Sequence, residues 1–335
     1  MKIVGFGDFL IRFNPQGYER FIQANSMNIS FTGAEANVCS ALSYWGENCE
    51  FVTSLPPHEL AKHGLNFLKG LGINVENCAE GQKRMGLFFL EHGASLRGSK
   101  VIYDRFDSSF TNSNFGDYDW DKILKDANVL FLTGITPVLS DNLYDCCLKL
   151  LKKAKEKNVF VVYDVNFRST LSSSEKAGWI LRNFAPYISL LIGNEEHLKM
   201  LLNIDSKYSE DETEARLKDI TYQASKILNI NDIAITVRRT LSASDNIVFA
   251  GLTRNGEFNL STKKQVHIVD RVGSGDAFSA GLIYAILNNF SNLDAVEFAV
   301  ASNALKHTID YDVNFSTVNE IKNIMGANSR VDVKR

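Results

Sequence analysis

The chain has 335 residues, 45% of them hydrophobic and 22% charged, with a formal net charge of -3. That length suits one large or two modest domains around a substantial core, and the composition is that of an ordinary soluble globular protein. The balance of charge, with no long Lys/Arg cluster interleaved with aromatics, excludes a nucleic-acid binder; Lys152, Lys153, Lys155 and Lys157 read as the solvated end of a helix.

Residues 1–8 hold too short an apolar stretch for a signal peptide, and no uninterrupted apolar run nears membrane-spanning length. A cytoplasmic protein without a membrane partner is expected. Short apolar runs at residues 3–6, 50–53, 128–132, 159–164, 188–192 and 233–237 alternate with helical patterns, clearest at 34–45, 143–155, 212–228 and 293–307. Strands apolar on both faces need helices on both, so the alternation predicts an α/β fold: a doubly wound, mainly parallel sheet flanked by helices. Residues 10–24 and 83–106 break this rhythm, being strand-like without an adjoining helix, and 85–90 with 100–103 read as a hairpin. They predict a small β-sheet lid whose apolar face needs a cover, over a site, in a dimer interface, or both. Asn255-Gly256 between two apolar runs predicts a second hairpin at an antiparallel edge of the main sheet. The expected division is a core of 1–9, 25–82 and 107–328, a lid of 10–24 and 83–106, and a polar tail at 329–335. Five scattered cysteines predict neither zinc nor redox chemistry.

Several stretches carry candidate chemistry. In Thr32-Gly33-Ala34-Glu35-Ala36-Asn37, small residues let backbone approach a ligand while Glu35 and Asn37 offer contacts to hydroxyls. A plain strand-to-helix turn capped by Thr32 fits the same residues. Asp164, Asn166 and Arg168 close an apolar run at the strand edge where open α/β sheets bind ligands. Arg168 can fork onto a carboxylate or phosphate, or pair with Asp164. Arg105, following Tyr103 on the lid, is a second arginine, and two near one pocket imply an anionic ligand. Asn194-Glu195-Glu196 suits a water-mediated Mg²⁺ site or an acidic first helical turn. From Asp270 to Ala285, Gly273, Ser274 and Gly275 form a turn before a helix of small residues, so N–H groups and the helix dipole converge on an anion site. Asp276 then serves as an acidic cap or, with a phosphoryl group before the turn, as a base for a sugar hydroxyl. The P-loop and protein-kinase signatures are absent, and neither Gly5-Phe6-Gly7 nor the six histidines form a cofactor or metal motif.

With these pieces in order, the sequence resembles the ribokinase-like (PfkB) carbohydrate kinase family over nearly its whole length. The Thr32 to Asn37 element is similar to the family's sugar-binding signature, and Asp270 to Asp276 to its anion-hole signature. Within the family, Gly17-Tyr18-Glu19-Arg20-Phe21, Gly33 to Asn37, Tyr103-Asp104-Arg105 and Asp164 to Arg168 resemble the 2-keto-3-deoxygluconate kinases. The resemblance implies transfer of the ATP γ-phosphoryl group to the terminal hydroxyl of that sugar acid or a similar one. It implies substrate contacts from Gly33, Ala34, Glu35, Ala36, Asn37, Phe88, Tyr103, Arg105, Asp164, Asn166 and Arg168, with the arginines answering the carboxylate. Asp276 would be the base, and Gly273, Ser274 and Gly275 the anion hole. Nucleotide would meet Asn194, Arg238, Ser242, Ser244, Gly273, Gly275 and Asn303, while Asn194 and Glu195 match the family's indirect Mg²⁺ element. A monovalent cation and a homodimer paired through the lid also belong to what the resemblance implies. The chain departs from the family pattern at Thr32, at Arg271 and at Phe88, which lacks a tyrosine hydroxyl, and residues 236–244 contain no glycine where many relatives are glycine-rich. A fructokinase-like neutral ketose kinase and a non-catalytic sugar or nucleotide sensor are the competing readings. The two arginines oppose the first and the intact Gly-Ser-Gly-Asp turn opposes the second.

Overall fold

A computed structural model describes residues 1–326, so the expected tail at 329–335 and the last two residues of the expected core lie outside the described residues. The central sheet has nine strands. Its order runs Glu257–Leu260, Asp245–Arg254, Asp232–Thr240, Leu190–Asn194, Phe160–Asp164, Val129–Thr133, Lys2–Phe6 and Asn48–Val52, with Lys264–His267 also on Asp245–Arg254. From Asp232–Thr240 to Asn48–Val52 every pairing is parallel, and the edge beyond is antiparallel. Asn255 and Gly256 turn that edge in the left-handed conformation expected of an Asn-Gly hairpin.

The parallel strands are apolar on both faces because each face has its own core. Val4, Leu130, Leu132, Val161, Leu191 and Ile233 point into one cluster, under helices Asp141–Glu156, Ser174–Phe184 and Thr213–Leu228. Their neighbours Ile3, Val129, Phe131, Val162, Leu190 and Ala234 point into the other. This second core is covered by helices Ala34–Tyr44, Ser274–Leu287 and Asn292–Lys306. The last two pack closely at Gly281, where a Cβ would stand 2.9 Å from Ala299 Cα. The chain leaves Lys2–Phe6 in one direction to reach Asn48–Val52 and in the other to reach Val129–Thr133, and this reversal of strand order opens a crevice at the carboxyl ends.

A separate four-stranded sheet arches over that crevice in the order Asn28–Thr32, Leu10–Asn14, Gly86–Glu91, Lys100–Asp104. The expected hairpin is present as the antiparallel pair Gly86–Glu91 and Lys100–Asp104. Asn28–Thr32, which the sequence reading left with the core, completes the sheet on the other side. Residues 15–24 form turns rather than strand, and Phe21 N donates to the buried Glu91 carboxylate at 2.9 Å. Leu10, Phe88 and Leu90 face inward, while Phe13 and Phe89 stack at 5.4 Å on the outer face. All five cysteines are free thiols, and among the described residues no helix is long and apolar enough to cross a membrane.

Candidate active site

The crevice between sheet and lid is a cleft of about 1120 Å³. Its floor is the turn before helix Ser274–Leu287. Gly273 is left-handed (φ 81°), and a Cβ there would strike the Asp312 carbonyl oxygen, so only glycine fits. Gly273, Ser274, Gly275 and Asp276 all line the cleft. The N–H groups at the start of this helix, of which Ser274 N donates to Arg271 O at 3.3 Å, make this an anion site. Asp276 stands beside it, held by Asn37, whose Nδ2 donates to Asp276 Oδ2 at 2.7 Å. Burial pushes its carboxyl up to about 8; Asp164 and Asp312 add to the shift, while the Asn37 hydrogen bond and the Arg168 charge oppose it.

The sugar-side wall comes from the strand ends. Gly33 passes so close to the Asp8 carbonyl that a Cβ would collide with it. Gly33, Ala34, Glu35 and Asn37 line the cleft; Ala36 does not, since its side chain points into the core at 1% exposure. Glu35 is tied to the fold, with Oε1 accepting from Thr133 N at 3.0 Å, Thr133 Oγ1 at 2.8 Å and Thr136 Oγ1 at 3.1 Å. Burial raises its carboxyl to about 7. Glu35 therefore fastens the first helix to the strand ends more than it offers a free contact. Asp164 accepts from Ser279 Oγ at 3.1 Å and from Asn166 N at 3.0 Å, and burial raises it to about 6. Asn166 is left-handed (φ 38°), which turns the chain so that Arg168 reaches the cleft. Arg168 donates to the Asn166 and Phe167 carbonyls and among the described residues forms no salt bridge, so the Asp164 pair considered from sequence is not made. From the lid, Phe88 stacks on Tyr103 at 5.0 Å and the Arg105 guanidinium lies 4.2 Å over the Tyr103 ring. Arg105 is 4% exposed and meets Asp8 at 3.8 Å; its Nε and Asp8 Oδ2 are buried without hydrogen-bond partners among the described residues. Such orphaned buried groups mark where a ligand's polar atoms belong.

The opposite wall differs more from expectation. Asn303 donates to Ser274 O at 2.8 Å, and its buried Oδ1 has no hydrogen-bond partner among the described residues. Arg238 lines the cleft mouth, held at about 10 by partial burial with the like charges of Arg271 and Arg168. Ser242 and Ser244 do not line the cleft. Ser242 Oγ bonds Asp245 at 3.0 Å within the hairpin turn, and Ser244 Oγ accepts from the lid residue Ser95 N at 2.9 Å. Ala243 N also donates to Ser95 O at 2.8 Å, so the glycine-free loop grips the lid tip. Glu195 is likewise corrected: it is buried against Arg216, away from the cleft, and the next residue, Glu196, takes the lining position beside Asn194. Asn194 Oδ1 caps the helix through Glu196 N at 2.9 Å. One residue of helix rotates a side chain by about 100°, so an Asn-Glu-Glu run cannot tell which carboxylate faces in.

Among the charged or titratable cleft residues, sequence reasoning did not single out Asp8, Glu175, His197, His307 or Asp312. Asp8 follows the first strand as Asp164 closes another, and the same strand-end logic would have found it. His307 and Asp312 lie beyond the end of helix Asn292–Lys306, and only long-range packing brings them to the turn. Burial holds His307 down at about 4, its Nδ1 lies 2.8 Å from Asn303 O, and its Nε2 has no hydrogen-bond partner among the described residues.

A doubly wound sheet, a β lid, and a glycine turn facing a carboxylate define a small-molecule kinase of the α/β class. The model of the pfkB family carbohydrate kinases matches residues 1–308, and the chain belongs to that family. The crystal structure of 2-dehydro-3-deoxygluconokinase from Thermotoga maritima superposes with a TM-score of 0.93 at 37% identity, over 96% of this chain and 97% of that one. A 2-dehydro-3-deoxygalactonokinase from Haloferax volcanii is 26% identical over 99% of both chains. A 5-dehydro-2-deoxygluconokinase from Clostridium perfringens is 23% identical over 96% of this chain and 91% of its own length.

Proposed function

We propose that this carbohydrate kinase phosphorylates the terminal hydroxyl of a dehydro-deoxy sugar acid, 2-keto-3-deoxygluconate or a close analogue, from ATP. The observation that carries the substrate class is the state of the two cleft arginines. Among the described residues Arg168 has no acidic partner and Arg105 has Asp8 alone, at 3.8 Å, so both can answer a carboxylate. The names of the relatives above support the same class.

In this reading the sugar lies across Gly33, Ala34 and Asn37 beneath Phe88 and Tyr103, with its carboxylate toward Arg105 and Arg168. Asp276 accepts the proton of the terminal hydroxyl as that oxygen attacks phosphorus, and Asn37 holds the carboxylate in line. The N–H groups from Gly273 to Asp276 meet the charge on the transferring phosphoryl oxygens. Nucleotide lies along Arg238, Asn303 and the outer side of the turn. Asn194 and Glu196, the cleft-facing pair, would hold a hydrated Mg²⁺, which supplies countercharge to the nucleotide phosphates.

A coupled ADP-release assay over 2-keto-3-deoxygluconate, its galactonate epimer, 5-keto-2-deoxygluconate, fructose and ribose tests this. At least one acid should exceed fructose by ~10²-fold or more in kcat/KM, because a neutral sugar offers no carboxylate to the buried Arg105 or the exposed Arg168. A preference for fructose overturns the acid assignment, and calorimetric binding without turnover makes the protein a sensor.

The outer face of the lid supports a homodimer. Ile29, Phe13, Phe89 and Ile102 are register partners across all four strands and form one apolar row, with Ile29 52% and Ile102 54% exposed. Light scattering should give a dimer, and Ile102→Glu a monomer.

A further inference from the structure

One buried charge cluster, whose Asp312 lines the cleft, joins lid to floor. Arg12, on the inner face of the lid strand Leu10–Asn14, is 0% exposed. Its Nη2 donates to Asp270 Oδ2 at 2.6 Å and its Nη1 pairs with Asp312 Oδ1. These two carboxylates flank the anion turn from both sides. Asp270 Oδ1 accepts from Val272 N at 3.0 Å, just before Gly273, and the Asp312 backbone is the surface against which Gly273 packs. From Asp312 the bonds continue toward the base: Thr32 Oγ1 donates to Asp312 Oδ2, Asn37 Nδ2 lies 3.4 Å from Thr32 Oγ1, and the same amide nitrogen donates to Asp276 Oδ2 at 2.7 Å. Every hydrogen in this chain has one direction. Thr32 gives its proton to Asp312 and accepts from Asn37, whose other N–H is then left for Asp276.

We propose that Arg12 is a positioning residue for phosphoryl transfer, clamping Asp270 and Asp312 about the anion turn and, through Thr32 and Asn37, aiming the Asp276 carboxylate. The proposal rests on Asp276 being the base. Arginine suits the task because its rigid planar fork donates to the two carboxylates from two separate nitrogens in fixed directions, whereas an ammonium donates from a single point on a flexible stem. The arrangement also makes seating of the lid strand and assembly of the transfer site one event, since the fork comes from the lid and both carboxylates from the core.

The charges around the clamp fix the sign of its effect. Facing Arg12 are Asp270, Asp312 and His92, whose Nε2 is 3.3 Å from Nη2, with the Tyr311 ring 5.4 Å away; Lys306 Nζ donates to Asp270 O at 3.2 Å, and Asp310 lies beside His92 and Asp270. Facing Asp276 are Asp164, Asp312, Arg168 and Asn37. Arg12 neutralises Asp312, so its loss exposes Asp276 to an uncompensated negative charge and loosens Asn37. Both effects favour the protonated carboxyl.

The test is the pH profile of kcat/KM for the preferred sugar acid, in the full chain, for Arg12→Met, Arg12→Lys and Asp312→Asn. Arg12→Met should lose about tenfold or more in kcat and move the acidic limb up by about one pH unit. Arg12→Lys should return the limb toward wild type without restoring kcat. Asp312→Asn should move the limb down. Removing one partner of a buried pair is strongly destabilising; if Arg12→Met does not fold, Asp312→Asn decides. Limbs that stay at the wild-type position in the folded variants, with activity reduced equally at every pH, overturn the proposal and leave Arg12 a structural brace. Asp276→Asn separates this from the underlying reading, because near-normal turnover there removes the base itself, whereas an inactive Asp276→Asn with unmoved limbs removes only the clamp.

Discussion

The two walls of the cleft are built by different means. The sugar side is assembled from contiguous stretches at strand ends, Gly33 to Asn37 and Asp164 to Arg168, where the backbone itself dictates which side chains face the crevice. The nucleotide side is assembled from segments far apart in sequence: Asn194, Arg238, Arg271 and the helix end holding Asn303 and His307 are four separate places in the chain. Both walls hold orphaned buried atoms among the described residues, at Asp8 and Arg105 on the first and at Asn303 and His307 on the second, but only the second has Arg238 and Arg271 side by side at its mouth. A wall made of contiguous residues selects finely. A wall made of dispersed charges binds an anion that the turn has to align.

The floor belongs to both walls, so its loss should be largest. Asp276→Asn is expected to lower kcat by ~10²-fold or more with either substrate saturating, as measured by ADP release. Its carboxyl lies near 8 in the free protein, above its unfolded value, so kcat/KM of the wild type should rise with pH through that region. The same shift has a consequence for stability. A raised folded-state value means the stabilising protonated form is complete below the unfolded value and is lost as pH rises through about 8. Asp276→Asn should therefore raise the thermal midpoint of the ligand-free protein at pH 8 more than at pH 4, and equal midpoints at both would return the carboxylate to an ordinary cap.

The next effect tests the sugar wall alone. Arg168→Ala should raise KM for the sugar acid by ~10- to 100-fold, the scale of a lost charge-assisted pair, with little change for a neutral sugar or for ATP. Equal losses on acid and neutral sugars would mean that Arg168 serves the Asn166 turn through its carbonyl bonds instead.

What the sequence made legible follows the same division. The parallel sheet was readable because Val4, Leu130 and Leu191 alternate with Ile3, Val129 and Leu190 between two buried faces, and a run apolar at every position leaves no other pattern. The sugar loop was readable as a contiguous motif, apart from Ala36, whose helical position turns it into the core. Glu195 was misassigned because one helical step exchanges it with Glu196, and nothing in the run marks the Arg216 that draws Glu195 inward from the next helix. Asn28–Thr32 was assigned to the core because sequence does not record which of two sheets a strand joins. Arg12 was passed over for the same reason, since both its carboxylates lie more than 250 positions away.

The nucleotide wall supplies the smaller effects. Arg238→Ala should raise KM for ATP by about tenfold and leave KM for the sugar acid unchanged; the reverse pattern would move Arg238 to the sugar side. Ser244→Ala should leave KM for ATP within about twofold of wild type, because Ser244 Oγ is bonded to Ser95 of the lid and not aimed into the cleft. A single neutral side-chain-to-backbone hydrogen bond contributes about 1 kcal/mol, and the second strap, Ala243 N to Ser95 O, remains. The expected trace is faster exchange of the Ser95 amide measured by hydrogen exchange, with kinetics nearly intact. A large rise in KM for ATP with unchanged exchange would place the glycine-free loop on the nucleotide after all, and the contrast between the two walls would narrow.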